Sequence, residues 1–246
     1  MLEIKDLTVS YSEQPVFTDL TVNFAPGKIT GIIGPNGAGK STLIKSMLGL
    51  IKKESGQVTY NAAPLNKIQK KIAYVEQRKD LDQTFPINVF DLVNTGNYAR
   101  LGLWRSAKEP ELQRVQAALE KVALSSLAKR QIGNLSGGQL QRVFVARAIV
   151  QDAELIILDE PFVGIDMQSE QAIMKIMRQW RDEQKTIIVV HHDLNKVMTY
   201  FDDLVILNHG IVAAGPTEEV YTPANMTKTF SADLSNVLFA TKEVGQ

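Results

Sequence analysis

Cysteine is absent from the 246 residues. That excludes a disulfide framework and a thiolate metal site, and it suits a reducing compartment. Net charge is absent too, since 27 Lys and Arg balance 27 Asp and Glu. No global basic field therefore points to nucleic acid as a partner. No run of about 18 apolar residues occurs, so no segment is long enough to cross a bilayer as a helix. Work at a membrane would require docking on another chain. The opening Met1-Leu2-Glu3-Ile4-Lys5-Asp6 carries acid early and does not read as a secretion signal. Internal repeats and low-complexity tracts are missing as well. What remains is a chain with 44% hydrophobic residues. At this length that supports one large α/β domain or two small ones.

The stretch that organises the sequence is Gly34-Pro35-Asn36-Gly37-Ala38-Gly39-Lys40-Ser41. It matches the phosphate-binding pattern G-x-x-x-x-G-K-[ST]. An apolar, β-prone run, Ile29 to Ile33, precedes it, and a helical pattern, Thr42 to Leu50, follows. This is the strand–loop–helix context in which such a loop cradles phosphate. Without side chains, Gly34, Gly37 and Gly39 let backbone N–H groups approach an anion. Lys40 is suited to the β- and γ-phosphates, and the Ser41 hydroxyl to Mg²⁺.

Before this loop, Ile4 to Ser10 and Val16 to Phe24 read as strands, interrupted at Gln14-Pro15. With the turn Ala25-Pro26-Gly27 they suggest a small antiparallel sheet. Tyr11, in the gap, either packs at a strand end or stacks on an adenine ring. Beyond the loop, Gly56 to Tyr60 and Ile72 to Val75 are short strands, the second ending in Glu76-Gln77-Arg78. The Gln77 carbonyl could bind Mg²⁺, or its amide could orient a water. From Val89 to Val150 the pattern is helical. Asn88 or Pro86 opens the first helix, Glu111 to Ala123 keeps a three- and four-residue apolar spacing, and Ser136 to Val150 forms a third. Tyr98 to Arg105, including Trp104, is apolar and basic together.

Leu155 to Leu158 is a continuous apolar run, as expected of a strand buried on both faces. Helices are predicted at Ser169 to Asp182 and Leu194 to Phe201, and a strand at Thr186 to Val190. Leu204 to Leu207 and Ile211 to Ala214 flank Asn208-His209-Gly210 as a hairpin, and two short helices follow Pro216. Strand–helix alternation after the loop predicts a mostly parallel, doubly wound sheet.

Two further constellations carry chemistry. Leu135-Ser136-Gly137-Gly138-Gln139-Leu140-Gln141-Arg142 opens a helix with Ser136 as N-cap. It is either a capped helix with a flexible entry or a second anion site. Asp159-Glu160 follows the Leu155–Leu158 strand, at the edge where open α/β sheets bind ligands. If the chain stays extended there, the two carboxylates face opposite ways. Asp159 could then hold Mg²⁺ while Glu160 serves as general base for water. A positioned base contributes about 10²–10⁴ in rate, or roughly 3–5 kcal/mol of barrier. His191-His192-Asp193 follows the next strand. Adjacent histidines on extended chain point apart, so one His on the γ-phosphate or the base is favoured over a metal cluster.

Taken together, these stretches resemble an ATP-binding cassette (ABC) ATPase over nearly the whole chain. Gly34 to Ser41 resembles Walker A, Leu135 to Arg142 the LSGGQ signature, and Leu155 to Pro161 Walker B with Glu160 as its catalytic glutamate. Gln77 matches the Q-loop, Tyr11 the A-loop aromatic, Gly164-Ile165-Asp166 the D-loop and His192 the switch histidine. The resemblance implies a P-loop NTPase core, with a small antiparallel β part, over 1–88 and 151–246. A helical subdomain over 89–150 ends in the signature helix. It implies catalytic Glu160, His192 and Gln77, with Mg²⁺ held by Ser41, Gln77 and Asp159. It also implies ATP contacts from Tyr11, Gly34, Pro35, Asn36, Gly37, Ala38, Gly39, Lys40, Ser41 and Thr42. In a second, paired copy, Ser136, Gly137 and Gly138 would complete the site, and Gln139 and Asp166 are further implied ATP contacts.

Finer similarity points to one branch. Phe85 to Asp91, Lys129 to Gly133, Pro161 to Asp166 and Val190 to Leu194 look like importers of manganese, zinc or iron. That branch implies a membrane permease whose cytoplasmic coupling helix rests near the Q-loop. It also implies an indirect extracytoplasmic metal-binding protein and a peripheral position on the cytoplasmic face. Two departures affect the expected permease contact: Glu76 replaces a common proline, and Asp82-Gln83-Thr84 replaces Asp-Trp-Asp. The alternative is a soluble ABC ATPase acting on nucleic acid or ribosomes. Those usually carry a long coiled coil or two cassettes in one chain, and the balanced charge weakens a nucleic-acid role. A P-loop kinase would leave the signature octet unexplained, and an exporter half would usually be fused to membrane helices.

Overall fold

The protein is described from a computed structural model covering residues 1–11, 14–77, 85–102, 106–230 and 238–239. Arg78, Asp82-Gln83-Thr84, Trp104 and Arg105 lie outside the described residues, as does the side chain of Tyr11. The chain runs β1 (Leu2–Tyr11), β2 (Gln14–Phe24), β3 (Lys28–Ile33), α1 (Lys40–Met47), β4 (Ser55–Tyr60), β5 (Ala63–Pro64) and β6 (Ile72–Val75). It continues with α2 (Val89–Asn94), α3 (Tyr98–Leu101), α4 (Glu109–Lys121), α5 (Gly137–Gln151), β7 (Leu155–Asp159) and α6 (Met167–Asp182). The last elements are β8 (Thr186–Val190), α7 (Val197–Tyr200), β9 (Asp203–Leu207), β10 (Ile211–Pro216), α8 (Thr217–Val220) and α9 (Pro223–Thr229). Two units divide these elements: Met1–Ile68 with Thr186–Gln246, and Gln69–Lys185.

In the first unit, β2-β1-β4-β5 form an antiparallel sheet. Gln14 and Pro15 do not interrupt β2 as predicted. Both lie within it, with Pro15 opposite Ser10. The strand sits at the sheet edge, where a residue lacking an N–H costs no ladder bond. A second sheet runs β10-β9-β3-β8. β3 pairs in parallel with β8 and with β9, while β10 returns antiparallel to β9. Every residue of β8 is buried, as is β3 beyond Lys28. A Cβ on Gly31 would stand 2.5 Å from the Phe201 ring, so glycine lets that ring lie flat on the strand.

α1 starts two residues earlier than predicted and stops at Met47. Its end is a Schellman closure, with Leu50 N–H on the Lys45 carbonyl at 2.8 Å and Gly49 N–H on Ser46 at 3.1 Å. Gly49 takes the positive φ of 74° that this closure needs. The single helix predicted over Leu194–Phe201 is instead a 3₁₀ turn, Leu194–Lys196, followed by α7. The Asp193 carboxylate accepts from Asn195 N–H and tightens the first turn.

In the second unit, β6 pairs in parallel with β7, and all five residues of β7 are buried. Asn88, rather than Pro86, caps α2 by accepting from Asp91 N–H at 2.8 Å. α4 and α5 pack against each other; α4 buries Val115, Ala118 and Leu119, and α5 buries Leu140, Val143, Phe144 and Ala148. Gln151, at the end of α5, donates to the Ile72 carbonyl at 2.6 Å and so ties the helix to β6. α6 buries Ile173, Ile176, Met177 and Trp180 on one face, with the predicted period. Among the described residues, no helix is long and apolar enough to cross a membrane.

Candidate nucleotide site

The first unit carries the phosphate loop. Gly34 cannot hold a larger residue, because a Cβ there would meet the Leu207 carbonyl oxygen at 2.0 Å. Gly37 and Gly39 adopt φ of 82° and 97°, the left-handed region that glycine enters without strain. Lys40 folds over the loop, its Nζ donating to the carbonyls of Gly34 at 2.8 Å and Pro35 at 2.9 Å. Ala38 is buried, while Asn36, Gly37 and Ser41 are exposed and Pro35 and Thr42 are half-buried. The N-cap of α1 is Gly39, which has no side chain to offer, and no acid lies in the first turn. The N–H groups of that turn, at the positive end of the helix dipole, are thus left for an outside acceptor. By contrast, Ser136 caps α5 and Asp166 caps α6. The loop therefore fits a polyphosphate.

The His191-His192 pair sits at the end of β8 in the same unit. His191 is buried, with its N–H on the Ile32 carbonyl at 3.0 Å and its ring edge-on to Phe201 at 5.4 Å. His192 is exposed. Of the two rings, only His192 is available to a ligand. Tyr221, from the end of α8, donates its hydroxyl to the Leu194 carbonyl at 2.8 Å and anchors this segment. Burial, reinforced by the charge of Asp193, pushes the Tyr221 phenol up to about 12. Tyr11 closes β1 opposite Gln14.

The acidic pair lies in the second unit. Asp159 ends β7 and is buried, with the Tyr74 hydroxyl donating to Oδ2 at 3.5 Å. Glu160 leaves the strand at a φ of 50°. Its direction thus comes from a left-handed turn, not from the strand alternation that the sequence suggested. The Gln77 side-chain amide donates to the Glu160 carboxylate. Glu76, just before Gln77, sits near Arg147. Burial lowers the pKa of that guanidinium, and the Glu76 carboxylate works against the shift.

The glycine helix is braced in the same unit. Ser136 Oγ accepts from Gln139 N–H at 3.3 Å, and Gln139 Oε1 accepts from Ser136 N–H at 2.9 Å. This reciprocal cap uses the N–H groups of Ser136 and Gln139 and leaves those of Gly137 and Gly138 for other acceptors. A Cβ on Gly138 would meet Ser169 Oγ at 2.3 Å and Asp166 Oδ2 at 2.7 Å. Asp166 in turn accepts from Ser169 N–H at 2.9 Å and from its hydroxyl at 2.8 Å. These two bonds, the backbone one first, hold the Asp166 carboxyl below its ordinary value. Arg142 donates to the Gly138 carbonyl at 3.4 Å and to Val122 at 2.9 Å.

The second unit thus brings together Gln77 with Glu160, and Gly138 with Asp166. The first brings together the Gly34–Thr42 loop and the strand that leads to His192. Sequence reasoning missed Tyr74, Ser169 and Tyr221. Only Ser169 left a local signal, as the fourth residue of an Asp-x-x-Ser start to α6. The apolar stripe predicts a helix from Ser169, whereas α6 starts at Met167 with Asp166 as its cap.

A glycine loop that opens an uncapped helix after a parallel strand, and an acidic pair at the end of another, define a nucleotide-hydrolysing P-loop domain. The family model described as ABC transporter matches residues 17–163, more than half of the chain, and the chain belongs to that family. It is 54% identical over 221 residues to the manganese transport system ATP-binding protein MntB of Listeria innocua, covering 90% of this chain and 92% of that protein. It is 42% identical to the zinc transport system ATP-binding protein TroB of Treponema pallidum, covering 97% and 90%. A solved ATP-binding subunit of an ABC transporter matches with a TM-score of 0.80 at 27% identity, over 98% of this chain and 99% of its own. The chain is therefore an ATP-hydrolysing subunit of a transport system.

Proposed function

We propose that this chain powers import of a divalent transition-metal ion, manganese first, through a membrane permease on whose cytoplasmic face it sits. The observation that carries the reading is the alignment with a manganese transport subunit over nine-tenths of the chain. The permease would dock near Gln77 and the helical segments that follow it, where Phe85 is 60% exposed. An extracytoplasmic metal-binding protein would deliver the ion without touching this subunit. A second copy of the chain would supply Ser136, Gly137, Gly138, Gln139 and Asp166 to each nucleotide.

In this reading Lys40 and the N–H groups at the start of α1 bind the β- and γ-phosphates, and the Tyr11 ring stacks on adenine. Ser41, Asp159 and Gln77 would hold Mg²⁺, an all-oxygen donor set of the kind that ion prefers. The ion would neutralise phosphate charge as the terminal bond breaks. Glu160 takes the proton from the attacking water, and Gln77 keeps the Glu160 carboxylate oriented until then. His192 contacts the γ-phosphate and reports its loss. ATP thereby holds the two copies together, and hydrolysis lets them part.

The test uses Glu160→Gln protein as bait in a detergent extract of native membranes, read by mass spectrometry. Recovery of a multi-span permease, whose complex with the wild-type subunit shows manganese-stimulated ATPase activity, is the expected result. Recovery of ribosomal or DNA-bound proteins without a permease would overturn it.

A further inference from the structure

Outside the nucleotide site, the helical part of the second unit carries an open cavity of about 420 Å³, with Arg100, Arg114, Ala117 and Lys121 exposed to solvent, within the range of small-molecule pockets. Its lining joins Arg100 of α3 to one face of α4 and to the C-terminal end of α5. The α4 residues are Arg114, Ala117, Ala118 and Lys121, spaced i, i+3, i+4 and i+7. Two alanines in the middle of that face leave the room, and two cations mark its ends. Ile149 and Val150 of α5 complete an apolar floor.

The charge is unbalanced. Among the described residues, Arg100, Arg114 and Lys121 take part in no ion pair and no side-chain hydrogen bond. Other surface lysines do: Lys71 pairs with Glu154 at 2.7 Å and Lys5 with Glu3 at 2.8 Å. The single carboxylate of the lining, Asp152, is already held by Lys185 at 2.8 Å. The bland explanation is that the three cations offset the negative end of α5. However, none of them donates to a carbonyl of its last turn. Three full charges also exceed the half charge of a helix end. Gathered around one concave surface, like charges repel, and a bound anion relieves that repulsion.

We propose that this cavity is a binding site for a small phosphomonoester that carries an apolar group. The phosphate would take the guanidinium forks of Arg100 and Arg114 and the Lys121 ammonium, and the apolar group would lie over Ala118, Ile149 and Val150. Guanidinium matches phosphate geometry in pairs of bonds, which favours a dianion over a carboxylate. The site shares α5 with the signature glycines, Gly137 and Gly138, at the other end of that helix.

Phenyl phosphate is the probe, titrated calorimetrically into protein whose phosphate loop is saturated with MgADP. Phenol and inorganic phosphate are titrated in parallel. The expected result is saturable binding of phenyl phosphate that is tighter than binding of either fragment. It should weaken several-fold between about 50 and 200 mM salt. Arg114→Gln with Lys121→Gln should weaken it at least about tenfold, with MgADP affinity unchanged. Ala117→Leu, which keeps every charge and fills the space, should weaken it comparably and guards against misfolding of the charge variant. No binding by the wild type up to about 10 mM, or equal binding by both variants, would overturn the proposal. So would inorganic phosphate binding as tightly as phenyl phosphate.

Discussion

The side-chain amide of Gln77 donates to the carboxylate of Glu160, joining the segment after β6 to the residue after β7. A base held in this way is oriented by its amide partner. Glu160→Gln keeps the size of the side chain and one acceptor oxygen for Gln77 but cannot accept a proton from water. The variant should bind ATP as the wild type does and lose about 10²–10⁴ in steady-state phosphate release. Undiminished turnover would remove Glu160 from the role of base.

Lys40 has two tasks, bracing the loop through the Gly34 and Pro35 carbonyls and presenting charge to phosphate. Lys40→Ala removes both. Nucleotide affinity measured by equilibrium dialysis should fall by at least about tenfold, the worth of one lost charge-assisted bond. Affinity equal to the wild type would show that the loop binds by its backbone alone.

Gly138→Ala should be destabilising as well as inactivating. The new methyl would overlap Ser169 Oγ and Cβ, and both belong to a well-packed helix start. Overpacking of this kind costs about 1–3 kcal/mol. Removing Ser169 Oγ and Cβ in the double variant Gly138→Ala/Ser169→Gly leaves the Asp166 Oδ2 contact, at the tip of a side chain, and should raise the thermal midpoint above that of Gly138→Ala. A double variant less stable than Gly138→Ala would show that the clash is relieved some other way.

Tyr221→Phe tests the anchor of the switch segment. Loss of the hydroxyl strands the Leu194 carbonyl, a change worth about 1–2 kcal/mol. The phenol's pKa is raised in the folded protein to about 12. Its contribution is therefore full below the ordinary value near 10 and is lost as pH rises through about 12. Denaturant midpoints of wild type and variant should differ at neutral pH and converge in strong alkali. A gap that persists there would assign the effect to packing rather than to the hydroxyl.

The sequence made legible whatever depends on neighbours along the chain. The phosphate loop, the buried Leu155–Leu158 strand and the apolar stripe of α6 are local patterns, and each element formed where its pattern lay. Contacts between residues far apart in sequence were not legible. Tyr74 meets Asp159 across 85 positions, and Ser169 lies against Gly138 because two helix starts come together. Backbone handedness was hidden as well. A left-handed glutamate, such as Glu160 at φ 50°, has no propensity signal, because tertiary packing imposes it.

The pairing of β3 with β8 and β9 has a consequence for how the chain is made. Ile29, Ile32 and Ile33 leave the ribosome about 150 residues before Thr186, where their first parallel partner begins. At ~5–20 residues per second, that strand waits about 10–30 s without a sheet. Gln69–Lys185, the second unit, is one continuous stretch and is synthesised entirely within that interval. A nascent chain stalled before Thr186 would therefore hold the whole of that stretch and a phosphate loop whose strand has no sheet partner. ATP binding can begin only after Thr186–Val190 has been added.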